Sequence, residues 1–222
     1  MEELKRWAGE TAAARVEPGM IVGLGTGSTA AFAVKAIGRR LRSGDLRDVH
    51  GVATSTKTVE LAQELGIPLT TLNDHPHLDL SIDGADEVDP AGNLIKGGGG
   101  ALLWEKIVAA ASARYVIAVD ETKLVDMLGE SFAVPVEVMP FGWRTHLEAI
   151  SLAGGEPALR LGEDGEPFLT DGGHYIIDCR FPSGIPDPEQ LDRALHGRPG
   201  VVETGLFLGF GPEVVVGRSE RP

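Results

Sequence analysis

The stretch Met20-Ile21-Val22-Gly23-Leu24, followed by Gly25-Thr26-Gly27-Ser28-Thr29-Ala30, decides the fold class of this 222-residue chain. Its first five residues form a short apolar run bounded by Pro18-Gly19 and by the turn GTGST, which predicts a buried strand. Apolar positions then recur at helical spacing from about Thr29 to Leu41, so the strand passes through a tight turn into a helix. Working outward, Glu3 to Arg15 reads as a helix, Val49 to Thr54 as a strand, Lys57 to Leu65 as a helix closed by Gly66, and Ile67 to Leu72 as another strand. Leu78 to Asp83 reads as a buried strand, Ala101 to Ala113 as a helix, and YVIAVD, ending at Asp120, as a strand. Such alternation predicts an α/β fold, a mostly parallel sheet with helices on both faces. Ligands of such sheets bind at the carboxyl ends of the strands, and each glycine- or aspartate-rich loop considered below follows a predicted strand.

The pattern changes after about residue 127. PVEVMP, a helix around Trp143 to Ala153, the strand-like segments ALRL and HYIIDCRF, and a helix at Pro188 to Leu195 predict a smaller α+β unit with antiparallel strands. The tail VVETGLFLGF and EVVVG has strand character and is expected to return to the first domain. The expected division is therefore 1–127 with 203–222 as one domain and 128–202 as the other.

Composition narrows the function classes. The net charge of −13 opposes nucleic acid and anionic membranes as partners, since both require a basic face. No apolar run is long enough for a membrane span, and the charged start MEELKRWAGE does not read as a leader, so a cytoplasmic location is expected. The one cysteine, Cys179, lies in an apolar stretch and reads as a small core residue; with no second Cys or clustered His, no metal site is expected.

Four loops carry candidate chemistry. GTGST places backbone N–H groups and hydroxyls at a helix N-terminus, a cradle for an anion. Gly25-x-Gly27-x-x-Ala30 also fits a relaxed dinucleotide fingerprint with Asp45 twenty residues on, but Asp45 sits in the polar stretch RSGDLRD rather than closing the next strand. A bare turn is the third reading of this loop. Asp83-Gly84-Ala85-Asp86-Glu87-Val88-Asp89 gathers four acids after an apolar strand; Asp83 is best placed to enter a site, whereas Glu87 and Asp89 are expected to face solvent. Lys96-Gly97-Gly98-Gly99-Gly100 leaves backbone bare of side chains, with Lys96 available to an oxyanion and Glu105 early in the next helix as a candidate base. Asp120-Glu121-Thr122-Lys123 adds a second ammonium group at the same rim. A phosphate cradle, paired carboxylates, two ammonium groups and one base suit an aldose-ketose isomerase, which moves a proton between adjacent carbons through an enediolate and needs no redox cofactor.

In order, GLGTGSTA, TSTKT, DGADEVD, KGGGGALLWEK and VDETK resemble the signature of the ribose-5-phosphate isomerase A family across residues 23 to 123. The resemblance implies a Rossmann-like domain with a smaller ferredoxin-like lobe, a homodimer or homotetramer, no cofactor, and interconversion of ribose 5-phosphate and ribulose 5-phosphate in the pentose phosphate pathway. It implies that Thr26, Gly27, Ser28, Thr29, Gly84, Ala85, Gly97, Gly98, Gly99 and Lys123 line the substrate, that Glu105 is the base, and that Asp83, Lys96 and Asp86 complete the catalytic set. Lys5 is a further candidate for holding phosphate. Gly100 departs from the alanine the family pattern leads one to expect, and its expected effect is a looser loop. The competing classes are a sugar-phosphate sensor without catalysis, an acyl-CoA transferase and a dinucleotide oxidoreductase; turnover without additives separates them.

Overall fold

The computed structural model describes residues 1–219. In chain order its elements are α1 (Glu2–Ala13), β1 (Ile21–Leu24), α2 (Ser28–Ser43), β2 (His50–Ala53), α3 (Thr56–Glu64), β3 (Leu80–Asp83), β4 (Glu87–Val88), β5 (Leu94–Ile95), α4 (Leu102–Ala110), β6 (Tyr115–Asp120), β7 (Val134–Val138), α5 (Leu147–Leu152), β8 (Glu156–Leu159), β9 (Tyr175–Arg180), α6 (Pro188–His196), β10 (Val201–Thr204), β11 (Leu206–Phe207) and β12 (Glu213–Gly217). The chain divides into two compact units. One comprises Met1–Ala85, Trp104–Lys123 and the segment from Phe210; the other comprises Asp86–Leu103 and Leu124–Gly209. Residues 86–103 thus group with the second unit, and the chain rejoins the first at Phe210 rather than at 203.

The first unit is built on a parallel sheet ordered β12-β6-β3-β1-β2. Side chains alternate across a strand, so β1 serves two layers. Val22 and Leu24 enter a core with Ala8 and Ala12 of α1 and Ala33, Val34 and Ile37 of α2. Gly23 faces the other way, where a Cβ would stand 2.5 Å from Cγ1 of Val108 on α4. Helices therefore cover both faces, and glycine at 23 lets α4 approach the sheet closely. The expected strand over Ile67 to Leu72 reduces to one bridge between Gly51 and Leu69. Pro68 has no N–H to extend a ladder, and its carbonyl instead accepts from Gly51 N–H at 2.8 Å.

The second unit follows the order β7-α5-β8-β9-α6-β10, a strand-helix-strand-strand-helix-strand unit of ferredoxin-like type, whose antiparallel sheet is ordered β10-β7-β9-β8. Ile150 of α5 and Leu191 and Leu195 of α6 pack with Val134, Val136, Val138 and Ile177 of this sheet. The expected helix from Trp143 opens instead as a 3-10 turn over Trp143–His146 before α5 begins. Of the tail, β12 joins the first unit's sheet, whereas β10 pairs with β7 and β11 pairs with β5 in the second. Cys179 is fully buried on β9; desolvation, with a smaller contribution from neighbouring Asp178, pushes its thiol well above the ordinary range. That is the core residue expected from its surroundings.

Candidate active site

In the first unit the cradle forms where β1 gives way to α2. Gly27, at φ 109°, is the N-cap of α2 and supplies no side chain to its N–H groups. The first-turn amides of any helix have no preceding carbonyl to bind, so Ser28, Thr29 and Ala30 present donors and the positive end of a helix dipole. Lys5 of α1 donates to Ser28 Oγ at 3.1 Å, which places its ammonium group at this turn. Thr29 is nearly buried, whereas Gly27 and Ser28 are exposed.

Thr26 differs from its neighbours. Its hydroxyl lies 2.8 Å from Thr54 Oγ1, 2.8 Å from Ser55 Oγ and 3.1 Å from Thr58 Oγ1. Thr58 in turn donates to the Gly25 carbonyl, and Thr54 to that of Leu24. The segment TSTKT is therefore a cluster of hydroxyls that pins the turn from beneath, with Ser55 also capping α3 through Thr58 N–H. The contribution of Thr26 to the site floor is its backbone: its N–H donates to Asp83 Oδ1 at 3.1 Å, and Gly84 N–H donates to the same oxygen at 2.8 Å. Asp83, 2 % exposed, closes β3 on this turn. A Cβ on Gly25 would collide with the Asp83 carboxylate and stand 2.5 Å from the Ile82 carbonyl. Gly25 is thus glycine because Asp83 occupies the space beside it. Asp45, the acid required by a dinucleotide reading, lies exposed before β2 and accepts from Ser43 Oγ, and β2 ends at Ala53 without an acid.

Glu105 stands in the first turn of α4 and is 5 % exposed. Gly84 and Ala85 are half-buried after Asp83. Lys123 ends the 3-10 turn Glu121–Lys123 that follows β6 and is half-buried. Asp120 turns its carboxylate to the backbone and hydroxyl of Thr122.

In the second unit Lys96, 2 % exposed, follows β5 with its ammonium nitrogen 5.5 Å from the centroid of the Phe207 ring. Asp86 Oδ2 accepts from Gly98 N–H at 2.8 Å, so the carboxylate expected to support the catalytic network holds the glycine loop directly. Gly97 and Gly100 adopt positive φ, 105° and 82°, while Gly98 and Gly99 are exposed. Gly100 is buried, and a Cβ there would lie 2.5 Å from the Phe168 ring. The fourth glycine thus packs the loop rather than loosening it. We expect Gly100→Ala to destabilise the protein, by about 1–2 kcal/mol for the left-handed backbone and about 1–3 kcal/mol for overpacking. Thermal unfolding checks this, and an unchanged or raised Tm would restore the looser-loop reading.

Glu87 reverses its expectation. It is fully buried on β4, and its carboxylate accepts from Gly129 N–H and Ser131 N–H at 2.6 Å each, Phe132 N–H at 2.7 Å and Ser131 Oγ at 2.8 Å. A carboxylate can leave water when several fixed donors replace its solvation, and the 129–132 loop provides them. Asp89 is half-buried and accepts from Asn93 N–H and Nδ2. Among the described residues no three His, Cys, Asp or Glu side chains converge to hold a metal ion.

Residues 50–221 match the family described as ribose 5-phosphate isomerase A (phosphoriboisomerase A). The chain belongs to that family. It is 49% identical over 219 residues to a ribose-5-phosphate isomerase A of Thermosynechococcus vestitus, covering 98% of this chain and 92% of that one. It is 52% identical over 212 residues to a protein of the same name from Roseiflexus castenholzii, covering 96% and 90%. A solved D-ribose-5-phosphate isomerase in complex with phospho-erythronic acid superposes with a TM-score of 0.95 at 40% identity, covering 98% of this chain and 95% of the other. Family membership accounts for the Rossmann-like sheet and the ferredoxin-like lobe together, as the ordered motifs predict.

Proposed function

We infer that this chain interconverts D-ribose 5-phosphate and D-ribulose 5-phosphate through an enediolate. The observation that carries the inference is burial: Asp83, Lys96 and Glu105 are each 5 % exposed or less in a chain of the ribose 5-phosphate isomerase A family. Burying an ionisable group is costly, and an acid, a base and a cation kept at that cost are suited to proton transfer.

The roles follow from the chemistry. Glu105 takes the C2 proton of the open-chain aldose and returns it to C1. Lys96 offsets the negative charge that develops on the enediolate oxygens. Asp83, held by Thr26 and Gly84 N–H groups, moves the hydroxyl proton between O2 and O1 or opens the sugar ring. Asp86 keeps the Lys96–Gly99 loop in place. The N-terminus of α2, with Ser28, Thr29 and Lys5, takes the phosphate; Gly27, Gly84, Ala85, Gly97, Gly98, Gly99 and Lys123 line the sugar. Substrate and product are isomers, so the reaction consumes no oxidant and no cofactor is proposed. Phospho-erythronic acid, held by a relative, joins a phosphate to a planar carboxylate that mimics an enediolate, and we propose that it inhibits this chain competitively.

The test is conversion of ribose 5-phosphate without additives after exhaustive chelation. Full turnover is expected, with a far lower kcat/KM for unphosphorylated ribose, because phosphate binding orients the reacting carbons. Equal kcat/KM for the two sugars would overturn the cradle assignment. Activity restored only by a divalent ion, or saturable NAD binding, would overturn the cofactor-free mechanism.

We further propose a cytoplasmic homodimer or homotetramer. Among the described residues no helix is long and apolar enough to cross a membrane. Phe141, 93 % exposed, and the exposed Met139 and Leu152 offer the second unit apolar surface suited to association.

A further inference from the structure

Arg160 takes no part in the roles assigned above. It follows β8 in the segment ALRL, and its backbone is fixed on both sides: its N–H donates to Ile176 O at 2.8 Å and its carbonyl accepts from Phe168 N–H at 2.9 Å. The side chain is largely buried and forks onto Asp178 of β9, with Nε 2.9 Å from Oδ2 and Nη2 2.5 Å from Oδ1. The Phe168 ring lies 5.8 Å from the guanidinium carbon. These contacts leave Nη1 pointing at the glycine loop, where it donates to Gly97 O at 2.8 Å and Gly98 O at 3.2 Å.

The loop it meets is tied at its ends by Lys96 N–H to Gly205 O at 2.9 Å and by Gly100 N–H to Gly97 O at 3.0 Å, and Gly97 and Gly98 between them carry no side chains. Glycines lose more conformational freedom on ordering than any other residue, and Lys96 is carried at the start of four of them. Asp86 fixes one amide, Gly98 N–H, while Arg160 fixes the two carbonyls that flank it. A negative group thus takes the donor and a positive group takes the acceptors of one peptide segment. A lysine could not replace Arg160: a single ammonium cannot fork onto Asp178 and span two carbonyls together.

We propose that Arg160, oriented by Asp178, is a positioning residue for the isomerisation, fixing the backbone of the Lys96–Gly99 loop so that Lys96 and the loop meet the developing enediolate in register. The proposal rests on the isomerase reading and deepens it. A cavity of about 800 Å³, lined by Gly98, Phe132, Glu156, Arg160, Asp178 and Arg180, opens on the brace and gives small solutes access to it.

The experiment compares the parent with Arg160→Ala, Arg160→Lys and Asp178→Asn, measuring kcat and KM for ribose 5-phosphate and thermal unfolding. Misplacing catalytic groups by about 1 Å can cost about 10²-fold, so Arg160→Ala is expected to lose about 10- to 100-fold in kcat with a much smaller change in KM. Arg160→Lys should remain impaired, and Asp178→Asn should fall less in the same direction. Millimolar guanidinium should restore part of the Arg160→Ala turnover without raising its Tm, whereas methylammonium should not. A folded Arg160→Ala or Arg160→Lys protein with parental kcat overturns the proposal. So does a loss that guanidinium leaves untouched and that tracks Tm across the three variants, because that is a packing defect. If Arg160→Ala fails to fold, the lysine and asparagine variants decide by the same criteria. A parent without turnover would sink the isomerase reading itself, whereas an active parent with insensitive variants sinks the brace alone.

Discussion

Glu105→Gln is expected to lower kcat by about 10²- to 10⁴-fold, the usual share of general acid-base catalysis, with a much smaller change in substrate affinity. Glutamine keeps the size and most of the hydrogen bonding of glutamate and removes only the basicity. The competing account is that Glu105, in the first turn of α4, complements the positive end of its helix. That role is worth about 0.3–1 kcal/mol of stability and nothing in turnover. The two accounts predict opposite outcomes, lost turnover in a folded protein or a slightly lower Tm with turnover intact. Measuring kcat beside thermal unfolding separates them, and a glutamine variant keeping more than about a tenth of parental activity would refute the assigned base.

Glu87→Ala should have the largest effect on stability. Its carboxylate meets three backbone amides and the Ser131 hydroxyl with no solvent around it. Removing it strands these donors, at about 1–3 kcal/mol for each that water cannot reach. Allowing for partial hydration of the loop, a loss on the order of 3–5 kcal/mol is expected, close to that for breaking a buried ion pair. At about 2–4 °C per kcal/mol for a chain of this size, Tm should fall by roughly 6–20 °C. An unchanged Tm would show that the 129–132 loop is held by other contacts. Glu87→Gln should be milder but still destabilising, because its amide brings a donor toward other donors.

Asp83 and Glu87 illustrate how far the sequence can be read. The parallel sheet is legible because its strands are short apolar runs, of which β1, β3 and β6 end at a glycine or aspartate, and helical spacing recurs between them. Asp83 is legible for the same reason, being the acid that closes such a run. Glu87 is not, since four acids in seven residues suggest a solvated loop, and the donors that bury this carboxylate lie more than forty positions downstream. Arg160 is hidden in the same way, in a segment that reads only as a strand, with partners 63 residues away at Gly97 and 18 away at Asp178. TSTKT is legible only as part of the family signature, and the folded turn alone shows that it forms a hydroxyl cluster beneath the cradle into which Thr26 directs its side chain. Gly100 teaches a related lesson: its reason is Phe168, and nothing local to the loop announces that contact.

The lone thiol has a practical consequence. Cys179 lies on β9 with no exposed surface, and burial holds it in the unreactive protonated form. Alkylating reagents should therefore leave the native chain unmodified, and a cysteine introduced anywhere on the surface can be labelled selectively without first removing the natural one. Left alone, Cys179 is a built-in chemical clock: the rate at which it is trapped reports how often the ferredoxin-like sheet opens, without any dye being attached beforehand.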